Sequence, residues 1–293
     1  MTSSTEVNKP STIESIIKLL RWDKPSGRLI LMIPALWAIF MAGEGQPPIS
    51  LVIIVILGSL ATSATGCVIN DLWDRNIDDK VERTKKRPLA SRELSVKVGI
   101  VVFFISLGCA AALAFFLNPL SFWLCVACVP VIVFYPLAKR VFPIPQLVLS
   151  IAWGFAVLIS WSALTGNLTN NTWILWGATV LWTLGFDTVY AMSDKKDDLQ
   201  VGINSSAIFF GDFVGDMVGL FFALTAGLFA YLGTINGFNF FFGVAWAIAV
   251  ILWVGQYIEL RQYNQELINY NGIFGQNVII GFILLLGIII GIR

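Results

Sequence analysis

The sequence has no histidine and few charged residues. Lysine, arginine, aspartate and glutamate make up only 13% of its 293 residues, against about 25% in ordinary soluble domains. Without histidine, any general base must be a carboxylate, a tyrosine or the substrate itself. With 57% hydrophobic residues and a mean hydropathy of +0.80, the composition excludes an ordinary soluble domain and predicts an integral membrane protein.

Signatures of several other protein classes are also missing. The chain has no G-x-x-x-x-G-K-[S/T] nucleotide loop and no D-G-x-x-A-R signature of CDP-alcohol phosphotransferases. Its four cysteines lie in apolar stretches without other ligands and predict buried packing, not a disulfide or a metal centre. The polar N-terminal residues contain no apolar core of a signal peptide, and residues 1–15 are predicted to form a disordered tail.

The sequence does contain a series of apolar segments of membrane-spanning length. A helix needs about 20 mostly apolar residues to cross a bilayer core. Nine segments predict an all-α, polytopic membrane protein, a bundle of nine transmembrane helices with a cytoplasmic-side active-site cap, in one domain over residues 16–293. The segments cover residues 29–43, 49–69, 97–117, 120–138, 145–165, 172–192, 214–235, 238–257 and 272–292.

Charged residues are distributed unevenly between the two ends of these segments. If the N-terminus is cytoplasmic, every lysine and arginine except Arg293 falls on the cytoplasmic side, and the C-terminus lies opposite. This is the distribution that the positive-inside rule predicts. All acidic residues except Glu44 fall on the cytoplasmic side as well. Acidic residues contribute little to topology, so their placement needs another explanation.

A row of polar side chains stands at the end of the second segment. Residues 70–78 read N-D-L-W-D-R-N-I-D and directly follow the uncharged segment 49–69. In a helix Asn70, Asp74 and Asp78 recur every fourth residue and share one face. Asp71 falls off that face, so its side chain is expected to contact a neighbouring helix or base.

A second acidic cluster follows the sixth segment. Asp187, Asp194 and Asp198 occupy positions i, i+7 and i+11 of one helical face, with Tyr190 between them. Asp194 and Asp198 come 120 residues after the Asp-x-x-x-Asp pair of the first cluster, four segments later. Because an even number of helices preserves orientation, both pairs lie at the same membrane face. This is the arrangement of a 4+4+1 repeat, in which two units of four helices are followed by a ninth helix.

Two converging sets of carboxylates favour a bound cation. Each charge held within a membrane costs at least about 2.5 to 3.5 kcal/mol, and like charges repel one another. Oxygen ligands favour Mg²⁺, Ca²⁺ or Mn²⁺ over zinc or copper. Since Mg²⁺ often bridges a few carboxylates to substrate phosphates, the clusters predict a diphosphate site. Bases on the same face are Arg75, Lys80, Arg83, Lys85, Lys86, Arg87, Lys139, Arg140, Lys195 and Lys196.

Several stretches of the chain resemble the UbiA family of membrane prenyltransferases. They are N-D-x-x-D-x-x-x-D with R-T-K-K-R-P-L-A, Y-P-L-A-K-R with P-I-P-Q-L-V-L-S-I-A-W-G-F, and G-F-D-T-V-Y-A-M-S-D-K-K-D-D with G-I-N-S-S-A-I-F-F-G. The resemblance extends from residues 21–25 to the last segment. It is strongest to the 4-hydroxybenzoate polyprenyltransferases, particularly the branch that uses solanesyl diphosphate.

The resemblance implies roles for the residues that match. The implied ligands of Mg²⁺ on the prenyl diphosphate are Asn70, Asp74, Asp78, Asp194 and Asp198. Arg83 and Lys139 are implied to contact the diphosphate. Arg140 is the candidate for the benzoate carboxylate, because guanidinium pairs well with planar carboxylates. The implied catalytic set is Asp74, Asp78, Asp187, Tyr190, Asp194 and Asp198. The candidates for stabilising a carbocation or binding substrate through an aromatic face are Tyr135, Trp153, Phe155 and Tyr190.

The implied reaction is the Mg²⁺-dependent transfer of a long polyprenyl group from polyprenyl diphosphate to 4-hydroxybenzoate, at the ring carbon ortho to the hydroxyl, in quinone biosynthesis. General-base candidates are Asp187, Asp194 and Tyr190. The expected partners are these substrates and the lipid bilayer of the cell inner membrane, without nucleic acid or an obligate protein partner.

The identity of the acceptor stays open, with homogentisate, a naphthoate, a lipid phosphate or a porphyrin as alternatives. A transporter is disfavoured, because it would place acids at mid-bilayer, whereas every acid except Asp187 stands at a segment end.

Overall fold

The computed structural model describes residues 11–24, 26–262 and 268–292. Regular structure in this part of the chain is entirely helical. The helices are α1 (Thr12–Leu19), α2 (Ser26–Ala42), α3 (Ile49–Asp78), α4 (Val96–Ala114), α5 (Pro119–Val141), α6 (Pro145–Thr165), α7 (Asn170–Val201), α8 (Ser206–Phe209), α9 (Val214–Ile235), α10 (Phe240–Leu260) and α11 (Tyr270–Gly291). A single 3₁₀ turn, Gly211–Phe213, leads into α9.

The nine long helices α2 to α7 and α9 to α11 correspond to the nine predicted segments. Seven of them, α3 to α6 and α9 to α11, are long and apolar enough to cross a membrane. Helix α2 is apolar but shorter, and the 32 residues of α7 include the second acidic cluster. The all-helical, multi-pass architecture is therefore confirmed, and nine is an approximate count of its spans.

Large apolar side chains cover the outer faces of the bundle. Phe104 of α4, Trp123 of α5, Phe240 and Ile251 of α10 are each more than half exposed. A monomeric soluble protein seldom exposes extended apolar patches. Lipid contact accounts for these faces, and the protein is an integral membrane protein.

Helices α3 and α7 extend well beyond the predicted apolar segments. The segments end at residues 69 and 192, whereas the helices continue to Asp78 and Val201. Apolarity detects the part of a helix in lipid, but the backbone ladder continues after the side chains turn polar. Helix α7 stops where Gly202 takes a left-handed conformation with φ +76°. Both acidic clusters thus lie on unbroken helical ends.

The predicted disordered tail is wrong for residues 11–15. Ser11 caps α1, and Glu14 completes a capping box with it. Leu19 at the end of α1 is fully buried against Val68 of α3 and Leu89 of the following loop. The sequence carries signals of this helix, a Ser-x-x-Glu capping pattern at residues 11–14 and apolar residues at positions 13, 16, 17 and 20. The polar composition of the residues before it outweighs these signals and suggests a tail. Residues 1–10 lie outside the described part of the chain.

The centre of the bundle packs α2 against α7 and α11. The Trp37 and Trp182 rings lie 4.9 Å apart between their centroids. The Trp37 indole donates to the Gly281 carbonyl at 2.9 Å. A Cβ at Gly281 would lie 2.8 Å from Ile33, so glycine is required for this close approach. The packing fixes α7, which carries the second acidic cluster.

A buried polar network ties α7 to α10 and α11. The indole groups of Trp182 and Trp253 both donate to Asn277 Oδ1, at 2.9 and 3.1 Å. Asn277 Nδ2 donates to Gln256 Oε1 at 3.1 Å. Such a network holds its helices in one arrangement because each buried polar group needs its partner.

Candidate functional site

The first acidic cluster occupies the last turns of α3 and is buried. Asn70, Asp71, Asp74 and Asp78 are each at most 8% exposed. A solvated helix end would expose these side chains, and carboxylates are rarely buried without partners. Their burial therefore rules out a simple helix-capping role and calls for neutralising groups nearby.

Asp74 accepts a hydrogen bond from a base on one oxygen only. Lys139 Nζ, near the end of α5, donates to Asp74 Oδ2 at 2.8 Å. Arg140 Nη2 lies 4.0 Å from Asp74 Oδ1. Asp74 Oδ1 is buried and has no hydrogen-bond partner among the described residues. Because an unpaired buried carboxylate oxygen is unfavourable, this atom is well suited to ligate a cation.

Arg21 and Arg87 neutralise the other two carboxylates of this cluster. Arg21 Nη2 donates to both oxygens of Asp71, at 2.7 and 2.9 Å. Arg87 Nη1 donates to Asp71 at 3.2 Å and to Asp78 at 2.8 Å. Burial works to lower the pKa of the Arg87 guanidinium, but the charges of Asp71 and Asp78 raise it above its ordinary value. Arg87 therefore stays charged and bridges the two acids.

Asp71 contacts bases, as expected from its helical position, but it does not point away from the site. It lines the main cavity of the protein together with Asn70, Arg21 and Arg87. Adjacent helical residues are only about 100° apart, so a wide cavity includes both Asn70 and Asp71. Helical spacing does not predict Arg21 and Arg87, since both come from segments outside the long helices. Their only signal is a position within the family-like stretches 21–25 and 83–90.

The second cluster lies along α7 and is organised by Arg83. Arg83 Nε donates to both oxygens of Asp194, at 2.9 and 3.0 Å, and its Nη2 contacts Asp194 as well. Arg83 Nη1 donates to the Tyr190 hydroxyl at 3.1 Å. The guanidinium also lies over the Tyr190 ring, 4.5 Å from its centroid. Hydrogen bonds and a cation–π contact thus hold Arg83 against one face of α7.

The remaining acids of α7 have fewer partners. Asp198 is buried and Asp187 is half-buried. Neither forms an ion pair with another described residue. Two acids of the α7 end are therefore without an ion-pair partner among the described residues.

The two clusters are linked through the loop after α3 and the end of α5. Arg83 lies in that loop and binds α7, and the Glu82 amide donates to Asp197 at 3.1 Å. The Lys139 carbonyl accepts from the Asn204 amide at 2.7 Å, which ties α5 to the segment after α7. The same lysine holds Asp74 through its ammonium group. These contacts place both acidic helix ends at one end of the bundle.

Tyr135 and Arg140 have different positions relative to the cavity. Tyr135 lines the cavity, and its hydroxyl donates to Asn70 Oδ1 at 2.8 Å. Arg140 is exposed and donates to the Trp73 carbonyl at 2.8 Å, outside the cavity wall. The cavity guanidinium groups are those of Arg21 and Arg87.

The main cavity joins the polar cluster of Asn70, Asp71, Arg21 and Arg87 to an apolar interior. Arg83, Lys139, the acids of α7 and the last two acids of α3 are not among the residues that line it. Its volume is about 300 Å³, and it is bounded by α2, α3, α4, α5 and α6. Trp153 and Phe155 of α6 line it, as do Leu113 and Leu117 near the far end of α4. Along α3 it reaches from Asp71 to Ile54, which is about 25 Å of helix. The cavity fits a ligand with an anionic head and a long apolar tail.

The oxygen-rich residues fit a divalent metal of the Mg²⁺ type. No three carboxylate or thiol groups within the described ranges are close enough to hold an ion by themselves. Mg²⁺ does not require this, because it commonly takes one or two carboxylates and completes its shell with water and phosphate. The Oδ1 atom of Asp74, which has no hydrogen-bond partner among the described residues, and the buried carboxylate of Asp198 provide such oxygens.

Residues 31–278 match the UbiA prenyltransferase family over most of the chain. The chain belongs to this family. A 4-hydroxybenzoate solanesyltransferase of Synechocystis sp. is 66% identical over 277 residues, covering 94% of this chain and 95% of that protein. A 4-hydroxybenzoate octaprenyltransferase of Haemophilus ducreyi is 37% identical and covers 94% of this chain and 99% of its own.

Solved UbiA structures share the fold of this family member. A UbiA homolog from Aeropyrum pernix K1 superposes with a TM-score of 0.78 at 23% identity, covering 89% of this chain and 97% of its own. A UbiA homolog from Archaeoglobus fulgidus, bound to GPP and Mg²⁺, gives a TM-score of 0.71 at 18% identity over 92% of this chain and 99% of its own. The likeness confirms the helical UbiA architecture expected from the sequence.

Proposed function

We propose that this protein transfers a long polyprenyl group from a polyprenyl diphosphate to the ring carbon of 4-hydroxybenzoate ortho to its hydroxyl, a step in the synthesis of plastoquinone- or ubiquinone-type quinones. The observation that carries the proposal is the 66% identity to the Synechocystis 4-hydroxybenzoate solanesyltransferase over nearly the full length of both chains. The cavity supports it, because its polar end carries two arginines suited to an anionic substrate group and its apolar length suits a prenyl tail.

The metal in this proposal is Mg²⁺. The ligands proposed for it are Asn70, Asp74, Asp78, Asp194 and Asp198, all at the polar end of the bundle. The chemistry that Mg²⁺ supplies when bound is neutralisation of charge on the diphosphate oxygens. The Mg²⁺ in the Archaeoglobus fulgidus homolog, bound there with GPP, supports the choice of metal.

Arg83 and Lys139 are the bases proposed to receive the diphosphate. Each already lies between the two clusters and holds a carboxylate, Arg83 on Asp194 and Lys139 on Asp74. When the C–O bond of the donor breaks, the electron pair leaves with the diphosphate. Two fixed positive groups stabilise that charge without needing to reorganise.

The apolar cavity protects the allylic cation that this cleavage leaves. Trp153, Phe155 and Tyr135 present aromatic faces to the cavity and can stabilise positive charge by cation–π contact. Walls that exclude water prevent loss of the cation to hydrolysis. The ring carbon of the acceptor then forms the C–C bond, and its proton leaves to a base.

Asp187 is the strongest candidate for that base, with Asp194 and Tyr190 as alternatives. Asp194 and Tyr190 are both engaged by Arg83, whereas Asp187 has no ion pair among the described residues. A carboxylate without a cationic partner accepts a proton more readily than a paired one.

The carboxylate of the acceptor needs a guanidinium group. Arg140 is the residue that the family resemblance indicates, but it is exposed, binds the Trp73 carbonyl and is not among the residues that line the cavity. Arg21 and Arg87 line the cavity and already bind a carboxylate, that of Asp71. We therefore favour these two arginines for the acceptor and keep Arg140 as the alternative.

The proposed location is the cell inner membrane, with the N-terminus and the active site on the cytoplasmic side and the C-terminus opposite. The support is the distribution of lysine and arginine, which places all of them but Arg293 on that side. Fusing a reporter that fluoresces only in the cytoplasm to each terminus tests this orientation.

The function is tested with purified protein in lipid, solanesyl diphosphate, Mg²⁺ and radiolabelled 4-hydroxybenzoate. We expect a prenylated product that depends on Mg²⁺ and is lost with EDTA. Parallel reactions contain labelled homogentisate or a naphthoate. Product with one of these acceptors alone would contradict 4-hydroxybenzoate as the substrate, and absence of product with every acceptor would contradict the prenyl transfer itself.

A further inference from the structure

Helix α3 lines the cavity with small side chains along nearly its whole depth. Two rows of residues, each recurring every fourth position, face the cavity together. One row is Gly58, Thr62, Gly66 and Asn70, and the other is Ser59, Ser63, Cys67 and Asp71. Between residues 58 and 67 neither row contains a side chain larger than threonine. The α3 wall is therefore a shallow groove that begins at the polar cluster.

The glycine at the far end of the first row borders open space. A Cβ at Gly58 would have no other heavy atom within 4 Å, whereas one at Gly66 would lie 3.8 Å from Ile132. Twelve residues separate Gly58 from Asn70, which places it about 18 Å along the helix from the polar cluster. A larger side chain at Gly58 would project into the cavity without displacing the protein around it.

We propose that Gly58 determines which donor chain lengths the enzyme accepts, because the prenyl tail lies along the α3 groove and passes this residue. The inference rests on the proposed prenyl transfer. An extended chain advances about 1.2 Å per bond, so a geranyl tail reaches roughly 10 Å and a solanesyl tail on the order of 40 Å. The geranyl tail ends before Gly58. The solanesyl tail extends beyond it, so only the long donor requires glycine at this position.

The test is a competition between the two donors in one reaction. Geranyl and solanesyl diphosphate are supplied together with 4-hydroxybenzoate, and the ratio of the two products is measured by chromatography. This ratio does not depend on how much folded enzyme each preparation contains. We expect Gly58→Leu to lower the ratio of solanesyl to geranyl product at least about tenfold.

Gly108→Leu is the matched control. Gly108 lies on the exposed side of α4, outside the cavity wall, and a Cβ there would also have no heavy atom within 4 Å. Both substitutions add the same side chain to a membrane helix and favour the helical conformation. The control is expected to keep the wild-type product ratio.

A graded series keeps the proposal testable if the leucine variant does not fold. The ratio should fall from glycine through Gly58→Ala to Gly58→Val as the side chain grows. An unchanged ratio across the variants that fold would overturn the role of Gly58. A wild-type protein that forms neither product would instead contradict the proposed function.

Discussion

At the end of α3, Asp71, Asp74 and Asp78 are almost fully buried, and bases from three other segments bind them. The bases are Arg21, Arg87 and Lys139. At the end of α7, the one ion pair among the described residues joins Asp194 to Arg83. Asp187 and Asp198 stand beside it without such partners. The two helix ends share an Asp-x-x-x-Asp spacing but differ in how many of their acids form ion pairs.

This difference indicates that the two clusters have different roles. The α3 end is held together by its own ion pairs, so part of its acidity serves the fold. The α7 end retains two carboxylates without ion-pair partners among the described residues, which are available to a cation. Substitutions that remove one charge at a time distinguish these two contributions.

The largest expected effect is on turnover when a proposed metal ligand is removed from either cluster. Asp74→Ala and Asp198→Ala should each lower kcat by about 100-fold or more, because each removes an oxygen from the proposed metal site. Prenyl transfer is measured at saturating Mg²⁺, and the amount of protein in the membrane is measured in parallel. Asp212→Ala, an exposed acid in the turn before α9, is the control and should remain active. A wild-type rate in either ligand variant would remove that cluster from the site.

The second largest effect is expected on stability. It distinguishes Asp71 from Asp194, the acid of α7 that also binds a base. Asp71→Asn leaves Arg21 and Arg87 partly buried without their full partner, so we expect a loss of about 3 kcal/mol. Asp194→Asn frees only Arg83, whose side chain is 32% exposed, and should destabilise less. The measurement is the midpoint of thermal unfolding in detergent. If Asp194→Asn proves the more damaging change, the α3 end is not the more structural of the two.

A smaller effect is expected at Arg83, a base that links the α3 loop to α7. Arg83→Lys keeps the charge but loses the forked contacts with Asp194 and Tyr190. We expect the KM for the prenyl diphosphate to rise about tenfold while kcat changes less, because guanidinium and ammonium differ in how they bind phosphate. Arg92→Lys, at an arginine that is 54% exposed, is the control. A change in kcat alone would argue against a contact with the diphosphate in the ground state.

The positions of the acids in both clusters can be predicted from the sequence. The spacing of Asn70, Asp74 and Asp78 predicts their shared position because a helix repeats every 3.6 residues. The offset of 120 residues between the two Asp-x-x-x-Asp pairs predicts that the acidic ends of α3 and α7 lie on the same side of the membrane. Both predictions depend on local periodicity, which a single sequence displays directly.

The partners of these acids do not follow from the sequence. Arg21 comes from the turn after a short helix, and Arg87 from the loop between α3 and α4. Loop conformation depends on tertiary packing, so no spacing rule connects either arginine to Asp71. Arg140, next to Lys139 near the end of α5, is indicated by the sequence as an acceptor contact, whereas its side chain donates to the Trp73 carbonyl, a contact that tertiary packing decides.

The smallest expected effect is at Tyr190, where the α7 end meets Arg83. Tyr190→Phe removes the hydroxyl that accepts from Arg83 Nη1 at 3.1 Å. It keeps the ring under the guanidinium, whose carbon lies 4.5 Å from the ring centroid. The three contacts of Arg83 with Asp194 remain. We therefore expect kcat to fall by no more than about threefold, in line with the loss of one ordinary hydrogen bond.

The same substitution distinguishes between the general-base candidates on α7. If Tyr190 accepted the ring proton, phenylalanine could not replace it, and kcat would fall by about 100-fold or more. Asp187→Asn should then be the milder change. The reverse order, with Asp187→Asn severe and Tyr190→Phe nearly silent, is the one we expect. It would mean that Arg83 and Tyr190 position the diphosphate while the unpaired carboxylate one turn earlier on α7 takes the proton.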